Sequence, residues 1–261
     1  MQKKLILITN DDGYNSNGIN ELIKIARSFG DVLVVAPDGA RSAQSSALTV
    51  ALPVTYTEIS NREHFRIIAC SGTPADCVKL VFSKQLPGIE RDPDIVLSGI
   101  NHGSNASINV IYSGTMGAAI EGALYHKSSI GFSLCNHDND ADFSKTLPFF
   151  SKIIEHVIAN GLPKGVCLNV NAPVGEILGM KVCRQSLGSW RNEFMASPTP
   201  YNKDCYWMVG EFINDEPEAT DTDEWALTNG FISIQPVQTD MTDYMAIKKL
   251  NFDNQNTIFN A

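Results

Sequence analysis

The sequence predicts an α/β protein with a doubly wound, mostly parallel sheet, and three observations lead there. Short aliphatic runs alternate with stretches of helical period, and the runs are apolar at successive positions, as in strands buried on both faces. Nearly every run then empties into a loop rich in Gly, Asn, Asp and Ser. Parallel sheets bind ligands beyond the carboxyl ends of their strands, so those loops are where chemistry is expected.

Leu5 to Ile8 is aliphatic throughout and forms the first strand, running directly into Asn10-Asp11-Asp12-Gly13. Gly13 gives the backbone freedom to turn there. Gly18 to Phe29 places Ile19, Leu22, Ile23 and Ala26 at the spacing of a helix packed on a sheet. Val32 to Ala36 is a second buried strand, followed by the polar loop Pro37 to Ser46. Ala47 to Ile59 and Phe65 to Cys70 read as further strands, the former interrupted by Pro53 and so expected at an edge. A helix begins near Ser71 to Asp76, with Thr73 as N-cap, Pro74 in the first position and Asp76 as a capping residue. Ile95 to Leu97 is a strand that leaves into Ser98 to Asn105, a loop of glycines and amides. Ser113-Gly114-Thr115 opens a helix through Lys127, whose residues Gly117, Ala118, Ala119, Gly122 and Ala123 allow close packing. Ser129 to Leu134 as strand, Phe143 to Asn160 as helix and Val166 to Val170 as strand complete the alternation.

Beyond Pro173 the rhythm changes. Val182 to Gln185 and Phe231 to Ile234 read as strands, the latter ended by Pro236, and Thr220 to Thr228 as a short capped helix. Asn251 to Ala261 reads as a frayed polar tail. Gly188 to Phe212 reads as loop-like and carries Trp190, Phe194, Tyr201, Tyr206, Trp207 and Phe212. In a segment without basic residues in excess, these aromatics suit hairpin packing or a subunit interface better than base stacking. The expected organisation is a core over 1–173 and an extension over 174–261 belonging to one continuous domain.

Composition narrows the function. Of the 261 residues 43% are apolar, enough for a core, and 20 Lys and Arg against 29 Asp and Glu leave a formal charge of −9. That charge argues against a nucleic acid polymer as partner. The six cysteines, Cys70, Cys77, Cys135, Cys167, Cys183 and Cys205, form no Cys-x-x-Cys pair, so neither zinc nor a disulfide framework is expected. The apolar run after Lys3 and Lys4 is too short for a signal peptide, and no run reaches the about 18 residues of a membrane span. A cytoplasmic protein without a membrane partner is the expectation.

Asp11 and Asp12 lie at the carboxyl end of the first strand, where a turn lets two carboxylates converge on one hard cation. Alone, Asn10 to Gly13 also reads as a polar turn before a helix. The coincidence of three further polar segments, Pro37 to Ser46, Ser98 to Asn105 and the helix start at Ser113, favours the chemical reading. Hydroxyl, amide and carboxylate oxygens suit Mg²⁺ or Mn²⁺, and a helix amino end suits a phosphate. Phosphoryl transfer to water is the reaction these parts fit. His102 is a candidate acid or base within the cluster, or simply a solvated loop residue. No Gly-x-Ser-x-Gly, P-loop or Gly-x-Gly-x-x-Gly occurs. A receiver domain would need an acceptor Asp after its third strand, and a haloacid-dehalogenase-type phosphatase an Asp-x-Asp after its first.

Taken together, Thr9 to Gly13, Ala36-Pro37 with Arg41-Ser42-Ala43, Ser71 to Cys77, Ser98 to Gly103 with Asn105, and Tyr112 to Thr115 closely resemble the SurE family of nucleoside-monophosphate phosphatases (5′/3′-nucleotidases, survival protein E). Order and spacing match over roughly residues 3 to 173. Asn169-Val170-Asn171 with Pro173, Thr220 to Asp223 and Ile232 to Pro236 look like weaker later landmarks. The resemblance implies a Rossmann-like core, and one divalent metal ion per subunit held by Asp11, Asp12, Ser42 and Asn101. It implies phosphate contacts from Asn105, Ser113, Gly114 and Thr115, with Asn10 beside them as a further substrate contact. It also implies a carboxy-terminal extension that exchanges elements between subunits of a homodimer or homotetramer. The expected activity is release of phosphate from nucleoside 5′- and 3′-monophosphates, with Asp11 and Asp12 catalytic. Attack by Asp11 itself and attack by water are both open, water being preferred. Ala172 stands where a larger aliphatic is usual, and Gly188 to Phe212 is hard to align with the family. A non-catalytic nucleotide- or phosphate-binding regulator on the same scaffold is the alternative.

Overall fold

Ile6, Leu7 and Ile8 are fully buried because the strand that carries them, β1 (Lys4–Thr9), has a parallel neighbour on each side and helices above and below. The computed structural model describes residues 3–138, 140–198 and 204–250. On one side of β1 lie β2 (Gly30–Pro37), β4 (Phe65–Cys70) and, antiparallel at the edge, β3 (Tyr56–Arg62). On the other lie β5 (Ile95–His102), β6 (Ser128–Leu134) and β7 (Val166–Ala172), all parallel. The sheet continues through β13 (Phe231–Gln238), antiparallel to β7, and ends at β8 (Gly179–Val182). Its strand order reverses between β1 and β5, and at such a switch point the flanking loops separate and leave a crevice. Asp11 follows one of those strands and Asn101 lies at the end of the other.

Alternation along β1 sends Ile6 and Ile8 to one face and Leu7 to the other, so both faces need cover. On the first face α1 (Asn17–Ala26) and α5 (Leu147–Asn160) pack Ile19, Leu22, Phe150 and Ile154 into a cluster with Ile6, Ile8 and Phe132. On the second, α2 (Pro74–Phe82) and α4 (Gly114–Leu124) bring Cys77, Val78, Val81 and Ala118 against Leu7 and Val35. The cap expected at α2 is present in full: Thr73 Oγ1 accepts from the Asp76 N–H and Asp76 accepts from the Thr73 N–H.

Several expectations shift. Ala47 to Thr55 stays outside the sheet, which leaves β3 as a shorter edge strand. Ser98 to His102 continues β5, with a change of register against β6 between Ser98 and Asn101. The strand expected at Val182 to Gln185 lies earlier, as β8. Pro236 lies inside β13, which is allowed because β8 pairs only with Phe231 to Ile234, so no partner on that side needs an N–H from residue 236. The described residues between Gly188 and Phe212 form not a loop but an antiparallel arm: β9 (Gly188–Arg191) pairs with β12 (Glu211–Asn214), and β10 (Phe194–Ala196) with β11 (Tyr206–Met208). Two short helices, α3 (Asn109–Tyr112) and α7 (Tyr244–Lys249), were not legible, whereas α6 (Asp223–Thr228) was. Tyr201 and the tail 251–261 lie outside the described residues. Among the described residues no helix is long and apolar enough to cross a membrane.

Gly18 fixes how closely α1 sits on β5, since a Cβ there would lie 1.9 Å from the Ile100 carbonyl oxygen. Backbone cannot move aside as a side-chain end can. Gly18→Ala is expected to lower stability by about 1–3 kcal/mol, read as a lower urea midpoint at unchanged slope.

Candidate functional site

The turn after β1 is held by its own residues. Asn10 is fully buried, and its Nδ2 donates to Gly13 O and Ser16 Oγ, both at 2.9 Å, while its Oδ1 accepts from the Gly13 N–H. Its side chain is thus engaged within the turn. Ser16 in turn caps α1.

Asp11 leaves this turn buried and meets the amino end of α4. The Thr115 hydroxyl donates to Asp11 Oδ1 at 2.5 Å. Gly114 lets the helix come this close: a Cβ on it would stand 2.8 Å from Asp11 Cβ and 2.9 Å from Oδ2. Ser113 is the N-cap, its Oγ accepting from the Met116 N–H. The carboxylate therefore faces the unpaired N–H groups and positive end of the helix.

The loop after β2 is drawn to the same place. Arg41 N–H donates to the Asp11 carbonyl at 2.7 Å, and Ser45 is tied by its N–H to Tyr112 O and by its hydroxyl to Ile111 O. Ser42 lies exposed between these anchors. Gly117 seats the loop on α4, since a Cβ there would lie 2.2 Å from Ser45 O. Ala43 and Ser45 adopt φ of 57° and 53°, a left-handed conformation that side chains normally avoid and that concentrates at functional loops.

Asp12 is half-buried, and the His102 N–H approaches its Oδ2 at 3.4 Å, which places Asn101 beside the pair. Asn101 Nδ2 donates to Gly103 O. The His102 ring packs on Phe143, and its Nδ1 lies 2.9 Å from Asp138 O; a carbonyl only accepts, so Nδ1 carries the hydrogen. Asn105 lies further along the rim in a buried amide network. Its N–H donates to Asn171 Oδ1, its Nδ2 to Ser133 Oγ, and its carbonyl accepts from Asn169. Asn171 donates to Asn169, which donates to Gln235. Sequence reasoning did not assign that network, although polar residues at alternate positions of an otherwise apolar strand, Asn169 and Asn171, were its signal.

Burial is the main cause that pushes Asp11 from 3.8 up to about 6, with the Asp12 charge adding and the Thr115 bond opposing. Burial likewise raises Asp12, against the lowering influence of His102. Among the described residues no Lys or Arg pairs with either acid. No three His, Cys, Asp or Glu side chains gather as a metal cluster among them either. The fit to a divalent cation rests on chemistry: two acids short of positive charge, with a hydroxyl and an amide nearby and no soft ligand among them.

Fold and rim together define a class: a doubly wound α/β protein whose switch-point crevice pairs two acids with the amino end of a helix. A family model described as Survival protein SurE matches residues 6–192. The chain is 49% identical over 250 residues to the 5′-nucleotidase SurE of Phocaeicola vulgatus, covering 95% of this chain and 96% of that one. It is 47% identical over 256 residues to the protein of the same name from Flavobacterium psychrophilum, at 96% and 98% coverage. The crystal structure of the SurE protein from Aquifex aeolicus superposes with a TM-score of 0.80 at 36% identity, over 94% of this chain and 98% of that one. The chain belongs to the SurE family.

The raised Asp11 value has a consequence for stability. Its folded-state pKa lies above the unfolded one, so the metal-free fold loses stability as pH rises from about 4 through about 6, by an amount on the order of 3 kcal/mol. A cation beside the carboxylate offsets that loss. At neutral pH, Mn²⁺ is expected to raise the melting temperature, and Asp11→Asn to remove that dependence, measured by differential scanning calorimetry.

Proposed function

We propose that the chain is a metal-dependent phosphomonoesterase that hydrolyses nucleoside 5′- and 3′-monophosphates to nucleoside and phosphate. One observation carries the reading: the buried Asp11 carboxylate and the open amino end of α4 meet at the switch-point crevice, with Thr115 in contact with both. The relatives that match this sequence over nearly their whole length bear the name 5′-nucleotidase.

On this reading Asp11, Asp12, Ser42 and Asn101 hold one Mg²⁺ or Mn²⁺ per subunit. When bound, such an ion supplies positive charge against the phosphate oxygens and polarises water. The chain's own groups do the rest. The Gly114 and Thr115 N–H groups at the start of α4, with Ser113 and Asn105 beside them, bind phosphate oxygens and stabilise the charge that spreads over them in the transition state. Asp11 orients the attacking water and can accept its proton.

Residues 1–173 carry these groups, and the extension 174–261 supplies contacts between subunits of a homodimer or homotetramer. Supporting that role, Phe194, Met195, Tyr206, Trp207 and Met208 on the β9 to β12 arm are all more than half exposed.

Incubation with adenosine or guanosine monophosphate and Mn²⁺ is expected to release phosphate, and a chelator to stop it. Asp11→Asn should lower the rate by about 10³-fold or more while the fold persists. Near-normal turnover by that variant, or no metal-dependent release from any nucleotide, would sink the proposal.

A further inference from the structure

A second concavity adjoins the acidic rim. A cavity of about 590 Å³ opens at the carboxyl ends of β5, β6 and β7, with Ser104, Cys135, His137, Trp190, Phe212 and Glu224 in its lining. That volume lies within the usual range for a small-molecule site, roughly 300–1,000 Å³. Its walls are continuous with the phosphate groups already described. Ser104 lies between Gly103 and Asn105, and Asn109, also in the lining, accepts through its carbonyl from the Ser113 N–H at 3.1 Å. The strand spacing sets β6 about 10 Å from β1, two strands away, the distance over which a nucleotide extends from phosphate to base.

The lining divides into an aromatic part and one carboxylate. Trp190 and Phe212 pack edge to face with centroids 6.0 Å apart, and the Trp190 Nε1–H donates to Asn109 Oδ1 at 2.8 Å, which fixes the indole. Glu224 and Asp223 are neighbours with opposite fates. Asp223 is fully buried, and its two oxygens accept from the N–H groups of Ser107, Ser186 and Glu224, so it is wholly structural. The Glu224 carboxyl is half-buried at the cavity wall, and among the described residues it has no hydrogen bond, so that desolvation and the charge of Asp223 act on it.

We propose that this cavity is the nucleobase subsite and that Glu224 makes it select guanine. The proposal rests on reading the rim as a nucleotide phosphatase site. An ionised carboxylate only accepts hydrogen bonds. Guanine alone among the common bases offers two adjacent donors on its pairing edge, N1–H and the 2-amino group, which match the two carboxylate oxygens. Adenine sets a donor next to an acceptor, and the acceptor nitrogen would face a carboxylate lone pair. Leaving that mismatch unpaired in a half-buried site carries the selectivity. Trp190 and Phe212 supply stacking surface that any base can use.

Desolvation, then the charge of Asp223, pushes Glu224 up to about 7, so the ionised form dominates only above neutrality. The other titratable groups at the cavity wall are His137 and Cys135, the latter pushed to about 12. The test is therefore run at about pH 8.5. Glu224→Gln replaces two acceptors by one acceptor and one donor, the pattern that pairs with adenine. The wild-type protein is expected to show a kcat/KM for guanosine monophosphate above that for adenosine monophosphate. Glu224→Gln should lower that ratio by about tenfold or more, partly through a gain for the adenine substrate that a misfolded variant could not show. Calorimetry with guanosine and adenosine, which need no hydrolysis, should show the same reversal, and Trp190→Leu should weaken both by about tenfold. An unchanged ratio in Glu224→Gln overturns the proposal. Guanosine binding that depends on Glu224, in a protein that hydrolyses no nucleotide, would instead uphold the subsite and overturn the phosphatase reading.

Discussion

The contact between Asp11 and the first turn of α4 is the constraint around which the rim is built. A carboxylate at this depth is costly to ionise, and a helix amino end is one of few neutral structures that eases that cost. The contact requires a glycine at 114, because any Cβ would drive into Asp11. It requires the amino end of α4 to reach the end of β1 while the helix packs on β5, β6 and β7, a closeness that its small residues allow. Once α4 is there, Gly117 becomes the floor for the loop 41–46, and the Arg41 N–H of that loop bonds to the Asp11 carbonyl. Positions far apart in sequence are thus gathered by one polar contact and two absent side chains.

Such an arrangement is unfavourable taken alone. Two adjacent acids with raised pKa values and two non-glycine residues at positive φ all oppose folding. The scaffold that tolerates this is overwhelmingly apolar: Ile6, Leu7 and Ile8 are completely buried, and a separate hydrophobic cluster covers each face of the sheet. The two acids and the strained residues Ala43 and Ser45 lie in loops outside that apolar frame. That separation lets the rim be arranged for chemistry while the strands beneath it stay fixed.

The parts legible in the sequence are those decided by neighbours along the chain. The aliphatic run of β1, the helical period of α1 and the Thr73-Pro74-Asp76 cap are local patterns, and each lies where its residues point. The parts not legible depend on partners distant in sequence. Pro236 marks a strand end by local rules, yet β13 runs through it because β8 stops short. The aromatic arm looks like a loop because each of its strands is three or four residues long and is defined only by the strand it returns to. At the rim, Asp11, Asp12 and Thr115 were visible as chemistry-bearing residues, but the bond between Asp11 and Thr115 spans 104 positions and has no sequence signature. The bonds by which the Asn10 amide ties the turn to Gly13 and Ser16 likewise have no signature in the sequence.

The extension is bound into the rim at its base by the same kind of contact that organises the core. Asp223, at the start of α6, accepts from the N–H of Ser107, which follows Asn105 and Ala106, and from the N–H of Ser186, just before the aromatic arm. One buried carboxylate thereby ties three segments: the end of the β5 loop, the root of the arm and the short helix before β13. Removing it would leave two buried N–H groups unpaired, a cost of about 1–3 kcal/mol for each. The loop from Ser104 to Ser107 borders the cavity beside β6 through Ser104, and its position is set from both sides, by Asn171 and Asn169 and by Asp223. The far end of the sheet is therefore not an appendage to the acidic crevice. It fixes the wall that the crevice and the neighbouring cavity share, so a shift in the arm or in α6 would reach both.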